Sequence, residues 1–313
     1  MAARAHTDLK RSAGIALVVV LWVLALLSVI AGSLVFSSRT EVLMAGNFSA
    51  LAQAEALADA GVYKAIHELA RPLTDLQRWK GDGSSRIWRY QGAEMHVTIL
   101  DESAKLDINT APPALLAGLF QVLGVAEAEA IALADAVVDW RDADDLRSLH
   151  GAEKADYAAA GLSYGPANAQ FETIEELRQV LGVTDALYGR LERLVTVHSR
   201  QTGVNTAVAP REVLLALPGA TPAQVDLFLQ QRQALLDQGL PAPPFPGAQG
   251  FSANASGSTF SVQVEAVLGD NARFSREAVV RMTANAKDPM MILAWRAPAG
   301  TLGRGAAAPR TSN

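Results

Sequence analysis

An uninterrupted apolar run near the N-terminus limits what this chain can form. No charged side chain occurs from Ile15 to Phe36. At about 1.5 Å of rise per residue, a helix over this run spans roughly the 30 Å of a bilayer core. Arg4, Lys10 and Arg11 precede the run and, by the positive-inside rule, stay in the cytoplasm. The run therefore predicts one membrane-spanning helix, with the rest of the chain across the membrane.

The same run is open to three interpretations. A cleaved secretory signal has a shorter apolar core, of about 7 to 15 residues, followed by a small-x-small site. Ala31–Ser33 is the candidate for such a site. A permanent, uncleaved anchor is the second interpretation, and a helix that is cut at its edge and then retained is the third.

The helical pattern continues beyond the apolar run. The next proline is Pro72, and apolar residues recur before it at steps of three and four, the stripe of an amphipathic helix. The stripe consists of Leu51, Ala54, Ala58, Val62, Ala65 and Leu69. We therefore expect one helix from Ile15 to near Leu69, roughly 80 Å long.

Segments that alternate polar and apolar residues predict antiparallel strands in two parts of the body. They are Arg86–Gly92, Ala93–Ser103, the two halves of Ser258–Ala284 around a turn at Gly269–Asn271, and Pro289–Ala297. Between the two parts the pattern is helical, from about Ala104 to Leu240, and the proline-rich segment Pro241–Gly247 marks the return to the sheet. The predicted fold class is α+β, a sheet packed on the long helix with a large, all-helical inserted domain.

Pairs of predicted helices repeat within the insertion. The segments "INTAPPALLAGL" and "VNTAVAPREVLLAL" echo each other, and each begins a helix pair. A third pair lies in "TIEELRQVLGVTDALYGRLERLV". The glycines at the three turns are Gly124, Gly182 and Gly219. Asn109 and Asn205 are expected to cap or turn the chain ahead of the helices.

These pairs resemble helix-hairpin-helix units, whose turn amides can bind a DNA phosphate. From Asp101 to Arg200, however, the sequence has 17 Asp and Glu against 8 Lys and Arg, a difference of −9. Phosphate binding depends mainly on cationic side chains. We therefore prefer an architectural role for the pairs and expect no nucleic-acid partner; a membrane-tethered DNA receptor is the alternative function.

The densest charge in the chain lies in "VVDWRDADDLRS". Four aspartates, Asp139, Asp142, Asp144 and Asp145, could supply oxygen ligands to a hard cation such as Ca²⁺, which takes six to eight. The spacing is not that of an EF-hand loop, so a solvated, turn-rich segment is the alternative. Glu153 and Asp156 are near enough in sequence to join either arrangement.

Motifs that carry catalytic chemistry are sparse in this sequence. The chain has no cysteine and 5 histidines, which are scattered, and it contains no G-x-S-x-G motif and no P-loop. The formal net charge of −5 gives no general reason to seek an anionic partner. We expect no enzymatic activity and no organic cofactor, and a periplasmic enzyme is the alternative with least support.

The N-terminus resembles the type IV pilins and the pseudopilins of type II secretion. Their basic leader ends in Gly, a prepilin peptidase cuts after it, and the apolar helix stays in the mature subunit. The matching residues are "KRSAG" followed by "IALVVVLW", which places the cut between Gly14 and Ile15. Most pilins carry Glu at the fifth mature position, which here is Val19. A subunit with no neighbour above it has no partner amine for such a carboxylate, so its absence suits the tip of a fibre.

Taken together, the motifs resemble the family of general secretion pathway protein K, the large minor pseudopilin. They are the Gly14 leader, the absent Glu, "LDINTAP", "VVDWRDADD", "YGPANAQFETIEELRQVLGV" and "VNTAVAPREVLLALP". The resemblance implies a pseudopilin fold with SAM-like units in the insertion and calcium bound there. It also implies minor pseudopilins I, J and H, major pseudopilin G, prepilin peptidase and an inner-membrane assembly platform as partners.

The expected protein is thus a non-enzymatic tip subunit. It would be anchored once in the inner membrane of a Gram-negative bacterium, with its body in the periplasm, and would help to initiate the pseudopilus that exports folded proteins. The expected parts are the leader 1–14, the membrane half-helix 15–36, the first pseudopilin segment 37–103, the insertion 104–240, the remaining strands 241–297 and a disordered tail 298–313.

Overall fold

The structure is a computed structural model that describes residues 12–297, apart from residues 73, 76, 248–249, 254–256, 270–271, 284 and 286. Most of the predicted leader and the whole predicted tail lie outside the described residues, as do two residues of the predicted turn at Gly269–Asn271.

A single helix, α1 (Ser12–Ala70), runs through 59 residues without interruption. The prediction of one helix from the apolar run to near Leu69 is confirmed. The predicted stripe is also confirmed: Ala54, Ala58, Val62 and Ala65 are fully buried, and Leu69 is nearly so. Just beyond the helix, the Arg78 guanidinium donates two hydrogen bonds to the Leu69 carbonyl oxygen, which a helix end leaves without a partner. The loop after α1 is thereby held against the helix end.

Five strands form an antiparallel sheet on one side of α1. In chain order, with two short strands of the insertion included, the strands are β1 (Asp82–Tyr90), β2 (Ala93–Asp101), β3 (Leu106–Asp107), β4 (Val195–Thr196), β5 (Thr259–Leu268), β6 (Ala272–Met282) and β7 (Met290–Arg296). The large sheet has the order β1-β2-β5-β6-β7, and all of the predicted strands are present in it. Because β5 pairs directly with β2, everything between them in sequence is an insertion into one sheet.

The sheet buries one face against α1. Along β2 every second residue is buried, which places Met95, Val97 and Ile99 in contact with the helix. The helix can lie close to β5 because Gly61 has no side chain: a Cβ there would lie 2.6 Å from Cγ1 of Val264. The β1–β2 turn uses Gln91 and Gly92, both at positive φ, as a two-residue hairpin requires.

The insertion has its own apolar core, separate from the core between α1 and the sheet. Its helices are α2 (Pro113–Val122), α3 (Glu127–Arg141), α4 (Lys154–Ala159), α5 (Asp185–Leu191), α6 (Arg211–Leu215) and α7 (Pro222–Asp237), with 3₁₀ turns at Glu102–Ala104 and Ile174–Gln179. The structure adds one feature to the predicted helical domain, because β3 and β4 form a short parallel pair. Long stretches between the helices carry no regular structure.

The three predicted turn glycines lie where the sequence placed them. Gly124, Gly182 and Gly219 all have φ between 78° and 89°, a conformation that favours glycine. Two pairs consist of α-helices, whereas the pair around Gly182 begins with a 3₁₀ turn. Helices of the two echoed pairs touch at Gly118, where a Cβ would overlap the Ala216 carbonyl. The repeats therefore pack on each other as one unit.

The expected capping role of Asn109 is wrong. Its side-chain amide exchanges two hydrogen bonds with the backbone of Phe171, far along the chain. Asn205 does turn the chain, since its Oδ1 accepts from the Ala207 N–H. In the first repeat the same role falls to Asp107, whose Oδ1 accepts from the Asn109 N–H. Asp107 lies five positions before Pro112, and Asn205 lies five positions before Pro210, the prolines that precede α2 and α6. The two repeats therefore align structurally with Asp107 opposite Asn205, two residues away from the alignment of their "NTA" letters.

Candidate functional sites: the exposed half of α1 and the acidic loop

The first half of α1 is uncovered by the rest of the described chain. One described helix is long and apolar enough to cross a membrane, and its best window has a mean hydropathy of 2.9 with none of it buried. Gly14 and Ile15 lie within this helix near its start, and the Val19 side chain is exposed. The predicted single-pass anchor therefore fits the structure, while the cleavage between Gly14 and Ile15 stays a prediction.

Of the four predicted aspartate ligands, Asp139 is the most buried. It lies on α3 with no exposed surface, and its two carboxylate oxygens accept from the Ser148 N–H at 3.1 and 3.2 Å. Gly151 passes so close that a Cβ there would overlap this carboxylate. Asp139 thus holds the returning loop, residues 142–153, against the end of the helix.

Four buried oxygen atoms in this segment have no well-formed hydrogen bond within the described chain, although the Glu153 carboxylate faces the first-turn amides of α4 in a capping box. They are Oδ1 of Asp142, Oε1 and Oε2 of Glu153, and Oδ1 of Asn168. Leaving a buried polar group without a partner costs about 1–3 kcal/mol, and more for a charged group. A group of buried oxygens without hydrogen bonds is unusual in a folded protein.

The acidic groups at this place repel one another. Burial raises the pKa of the Glu153 carboxyl, and the charges of Asp139, Asp142 and Asp145 raise it further. Burial likewise raises the pKa of Asp142, together with its aspartate neighbours. Both shifts report negative charge that is poorly compensated inside the protein.

The remaining acidic residues of the loop have other roles. Asp145 accepts from the Asn168 amide nitrogen at 2.8 Å, and the Asn168 carbonyl oxygen is buried without a hydrogen bond within the described chain. Asp144 is exposed and accepts from the Leu146 N–H. Asp156 accepts from the Glu153 N–H and from Arg147. The structure therefore brings Asp142 and Glu153 near Asp139 and Asp145, with Asn168 bonded to Asp145. Asp144 is exposed, although its charge also raises the pKa of Asp142, and Asp156 is engaged by Arg147 and the Glu153 backbone.

Sequence reasoning missed Asn168, because an uncharged residue in "GPANAQ" carries no metal-binding signal of its own. Its positive φ of 49° is uncommon outside glycine and is most accessible to Asn and Asp, but it is visible only in the structure. Glu153 was foreseen only as a neighbour in sequence.

The oxygen atoms of Asp142, Glu153 and Asn168 are of the kind that bind a hard cation. All orphaned atoms are carboxylate or amide oxygens, which Ca²⁺ prefers over nitrogen or sulfur ligands. Within the described ranges, no three His, Cys, Asp or Glu side chains converge closely enough to form a ready-made cage.

The helix-pair turns offer little to a DNA phosphate. The Gly124 N–H donates to the Gln121 carbonyl and the Val125 N–H to that of Phe120. At the third turn, the Ala220 N–H donates to the Leu217 carbonyl. Amides that are already bonded within the helix ends are poor phosphate ligands, which favours the architectural interpretation.

Comparison with known proteins finds similar sequences over most of this chain. Residues 96–200 match the family model for the first domain of type II secretion system (T2SS) protein K. The type II secretion system protein K of Klebsiella pneumoniae is 29% identical over 248 residues, covering 72% of this chain and 74% of the relative. That of Aeromonas hydrophila is 27% identical and covers 93% of this chain and 98% of its own length. The resemblance to type II secretion system protein K is confirmed.

A solved structure supports the same fold. One chain of the GspK-GspI-GspJ complex from the type 2 secretion system of enterotoxigenic Escherichia coli aligns with a TM-score of 0.51 at 17% identity. The alignment covers 83% of this chain and 99% of that one. The predicted pseudopilin fold, a long helix on an antiparallel sheet, is thereby confirmed. The family-model match includes the acidic loop, whereas the exposed half of α1 lies outside it.

Proposed function

We propose that this chain is the tip subunit of a type II secretion pseudopilus, a non-enzymatic minor pseudopilin that helps to initiate fibre assembly. The supporting observation is the position of the insertion. It leaves the sheet at the end of β2, and the Asp101 N–H there bonds to the Gly81 carbonyl, beside the loop that Arg78 ties to the end of α1. The insertion therefore begins at the end of the body farthest from the membrane half of α1.

This placement suits a cap. In a fibre of stacked subunits, a domain at the membrane-distal end would occupy the space of the subunit above. A single subunit at the tip has no neighbour there. The argument from Val19 agrees with it, since the tip subunit has no partner amine that a buried Glu would need.

The proposed partners follow from the family. The related chain of enterotoxigenic Escherichia coli was solved in a complex of GspK, GspI and GspJ. We propose minor pseudopilins I and J as direct partners here, with H, major pseudopilin G and the inner-membrane assembly platform as further ones. The body would lie in the periplasm and α1 in the inner membrane.

Mass spectrometry of the mature N-terminus tests the proposed processing. In cells with an active prepilin peptidase, we expect the chain to begin at Ile15. Gly14→Leu should block the cut, because glycine lets the protease approach the backbone, whereas the control Ser12→Ala should not. A mature chain that begins at Met1, or after Ser33, would exclude the pilin-type leader.

Secretion assays with variants of Val19 test the proposed place in the fibre. Val19→Glu puts a carboxylate in the bilayer at a cost of about 2.5–3.5 kcal/mol without a compensating partner, so secretion should fall. Val19→Leu conserves the apolar surface and should secrete normally. Equal secretion by the two variants would contradict the tip position.

We further propose that the acidic loop binds calcium as a structural ion. Asp142, Glu153 and Asn168 would hold it, with Asp139 and Asp145 supplying further negative charge. A bound cation would satisfy the orphaned oxygens and tie the loop to α3.

Terbium luminescence tests this calcium proposal, because Trp140 lies in the same segment and can sensitise a bound Tb³⁺ ion. We expect luminescence that Ca²⁺ competes away, and Asp142→Asn or Glu153→Gln should abolish it. Asp144→Asn is the matched control, since its side chain faces solvent. Loss of luminescence in the Asp144 variant alone would show that the ion lies elsewhere in the loop.

A gel-shift assay at low salt addresses the alternative DNA receptor. The acidic surface of the insertion predicts no retardation even where electrostatic binding is strongest. Clear retardation would favour the DNA receptor over the tip subunit.

A further inference from the structure

A cavity of about 250 Å³ lies on the insertion between α3 and the segments that pack beside it. Its wall includes the apolar side chains of Leu133 and Ala136 on α3 and of Leu181 before the Gly182 turn. The carboxylate-bearing residues Glu129 and Asp156 also line it. An apolar wall with negative charge beside it suits a basic side chain, whose stem is apolar and whose end is charged.

Glu129 is the acidic residue of this cavity whose charge is left uncompensated by the described chain. It is exposed, and none of the ion pairs found among the described residues involves it. Asp156, by contrast, pairs with Arg147 at 3.1 Å, and His150 of the cavity wall lies 3.4 Å from Asp135. Glu129 is therefore available to a cation that comes from outside the described residues.

The loop beside the cavity presents two leucines to solvent. Leu146 and Leu149 are 78% and 83% exposed, more than any large apolar side chain in the membrane half of α1. The backbone between them is fixed, because the Ser148 N–H donates to the buried Asp139 carboxylate. Leu149 directly precedes His150 of the cavity wall. Exposed apolar surface next to a cavity is typical of a contact site.

The charge of the whole segment around the cavity is negative. Residues 127–156 contain nine Asp and Glu against three Lys and Arg, a difference of −6. A Ca²⁺ ion bound in the acidic loop, as proposed above, would add two positive charges and leave −4. The surface therefore attracts a cationic partner with or without calcium.

A cationic segment is present in the same chain. Residues 298–313, "PAGTLGRGAAAPRTSN", lie outside the described residues. They contain Arg304 and Arg310 and no Asp or Glu, so their side chains carry a formal charge of +2. Leu302 lies two residues before Arg304 and is the large apolar side chain of this segment. In charge and in apolar character, this tail complements the surface around the cavity.

The tail also begins near that surface. Arg296, two residues before it, pairs with Glu175 of the insertion at 2.6 Å. Glu175 lies in the 3₁₀ turn Ile174–Gln179, six residues before Leu181, so the Cα atoms of Glu175 and Leu181 lie within about 16 Å of each other. An extended chain from Arg296 to Arg304 spans up to about 26 Å. The tail is therefore long enough to reach the cavity.

We propose that the C-terminal tail, residues 298–313, folds back on the insertion of its own chain as a strap. Arg304 enters the cavity and pairs with Glu129, and Leu302 covers Leu149. The strap adds a second link between the end of β7 and the insertion, beside the pair of Arg296 and Glu175. This inference does not depend on the proposed function.

Single-cysteine labelling tests the strap, since the chain has no cysteine. Ala132→Cys places the reporter in the cavity wall without removing a proposed contact, and Ala186→Cys on α5 is the exposed control outside the cavity. Each full-length variant in detergent at low salt is compared with the same variant ending at Ala297. A short flexible tether gives an effective concentration of about 1 mM. A contact with a dissociation constant of about 0.1 mM is then about 90% occupied. We expect the tail to slow maleimide labelling of Ala132→Cys about tenfold and to leave Ala186→Cys unchanged.

Charge variants in the Ala132→Cys background test the proposed ion pair. Glu129→Gln should remove the protection, whereas Glu127→Gln should keep it, because Glu127 is exposed on the same helix but does not line the cavity. In the tail, Arg304→Glu should remove the protection and Arg304→Lys should retain most of it. High salt should weaken it in the unaltered pair. Equal protection in all four variants would contradict the pairing of Arg304 with Glu129.

The remaining results of the labelling experiment decide against the strap. Equal labelling of Ala132→Cys with and without the tail, in chains of equal thermal stability, would overturn it. Protection that disappears on dilution would identify the tail of a second copy as the occupant. Protection that needs co-expressed minor pseudopilins I and J, and persists without the tail, would identify a partner subunit instead.

Discussion

The two halves of α1 belong to one helix and are both rich in Ala and Leu, but they differ in what covers them. In the first half apolar side chains such as Leu24 and Phe36 are 55% and 75% exposed. In the second half Ala58 and Val62 have no exposed surface. The difference shows that the body needs only the second half for its own fold. The apolar surface of the first half is left for lipid or for other helices.

The largest expected contrast comes from removing a leucine on each half. Leu69→Ala should destabilise the body by about 2–5 kcal/mol, because it empties a buried site against the sheet. Leu34→Ala, in the first half at a position 69% exposed, should change the free energy of unfolding by less than about 0.5 kcal/mol.

Urea denaturation of the full chain in detergent, followed by tryptophan fluorescence, measures both values for this pair. A comparable loss in the two variants would mean that the first half of α1 is also packed in the folded monomer.

Replacing two glycines of α1 by alanine should change the stability in opposite directions. Gly61→Ala should destabilise by about 1–3 kcal/mol, because the new Cβ would press on Val264. A Cβ added at Gly46 would meet no atom within 4 Å, so Gly46→Ala should stabilise the helix by up to about 1 kcal/mol. Thermal unfolding measures both, and stabilisation by both substitutions would show that α1 stands farther from β5 than the structure has it.

A smaller, pH-dependent effect is expected at the packed end of α1. Burial alone would raise the pKa of Glu68, but hydrogen bonds from Lys64 and Arg71 outweigh it and the pKa is lowered. A carboxyl group whose pKa is lower in the folded state stabilises that state at pH values above its unfolded pKa, about 4.3. This stabilisation is lost as the pH falls through the pKa of the folded state.

The free energy of unfolding should therefore decrease more steeply below about pH 4.5 in the native chain than in Glu68→Gln. Urea titrations between pH 3 and pH 7 measure the difference. Parallel pH profiles for the two chains would exclude a stabilising role for the Glu68 carboxylate.

Much of the body could be predicted because its signals are local. The long helix follows from the absence of proline and from the three-and-four spacing of its apolar residues. The hairpins follow from alternation between turn residues, and the helix pairs from glycines such as Gly182, whose positive φ the structure confirms. Each of these features needs only neighbours in the sequence.

The acidic loop was predictable only in part. The aspartate cluster identifies the place, but the sequence could not show that Asp139 is engaged by the Ser148 backbone or that Asn168 brings an oxygen there. Likewise, the echoed "NTA" segments align by letter at Asn109 and Asn205, whereas the shared turn places Asp107 opposite Asn205. Both outcomes depend on contacts with segments distant in sequence.

The helix, the strands and the turns could be read from the sequence, because periodicity and turn chemistry act over a few residues, and the quoted motifs carried the resemblance to the secretion family. The fold was needed to show which buried oxygens lack a partner and that Arg281 reaches the His198 carbonyl. Those features arise where residues far apart in the chain meet, and burial and charge there depend on the whole fold. The exposed half of α1 needs both kinds of information. Its apolar character can be read from the sequence, whereas the fold is needed to show that no other part of the described chain covers it.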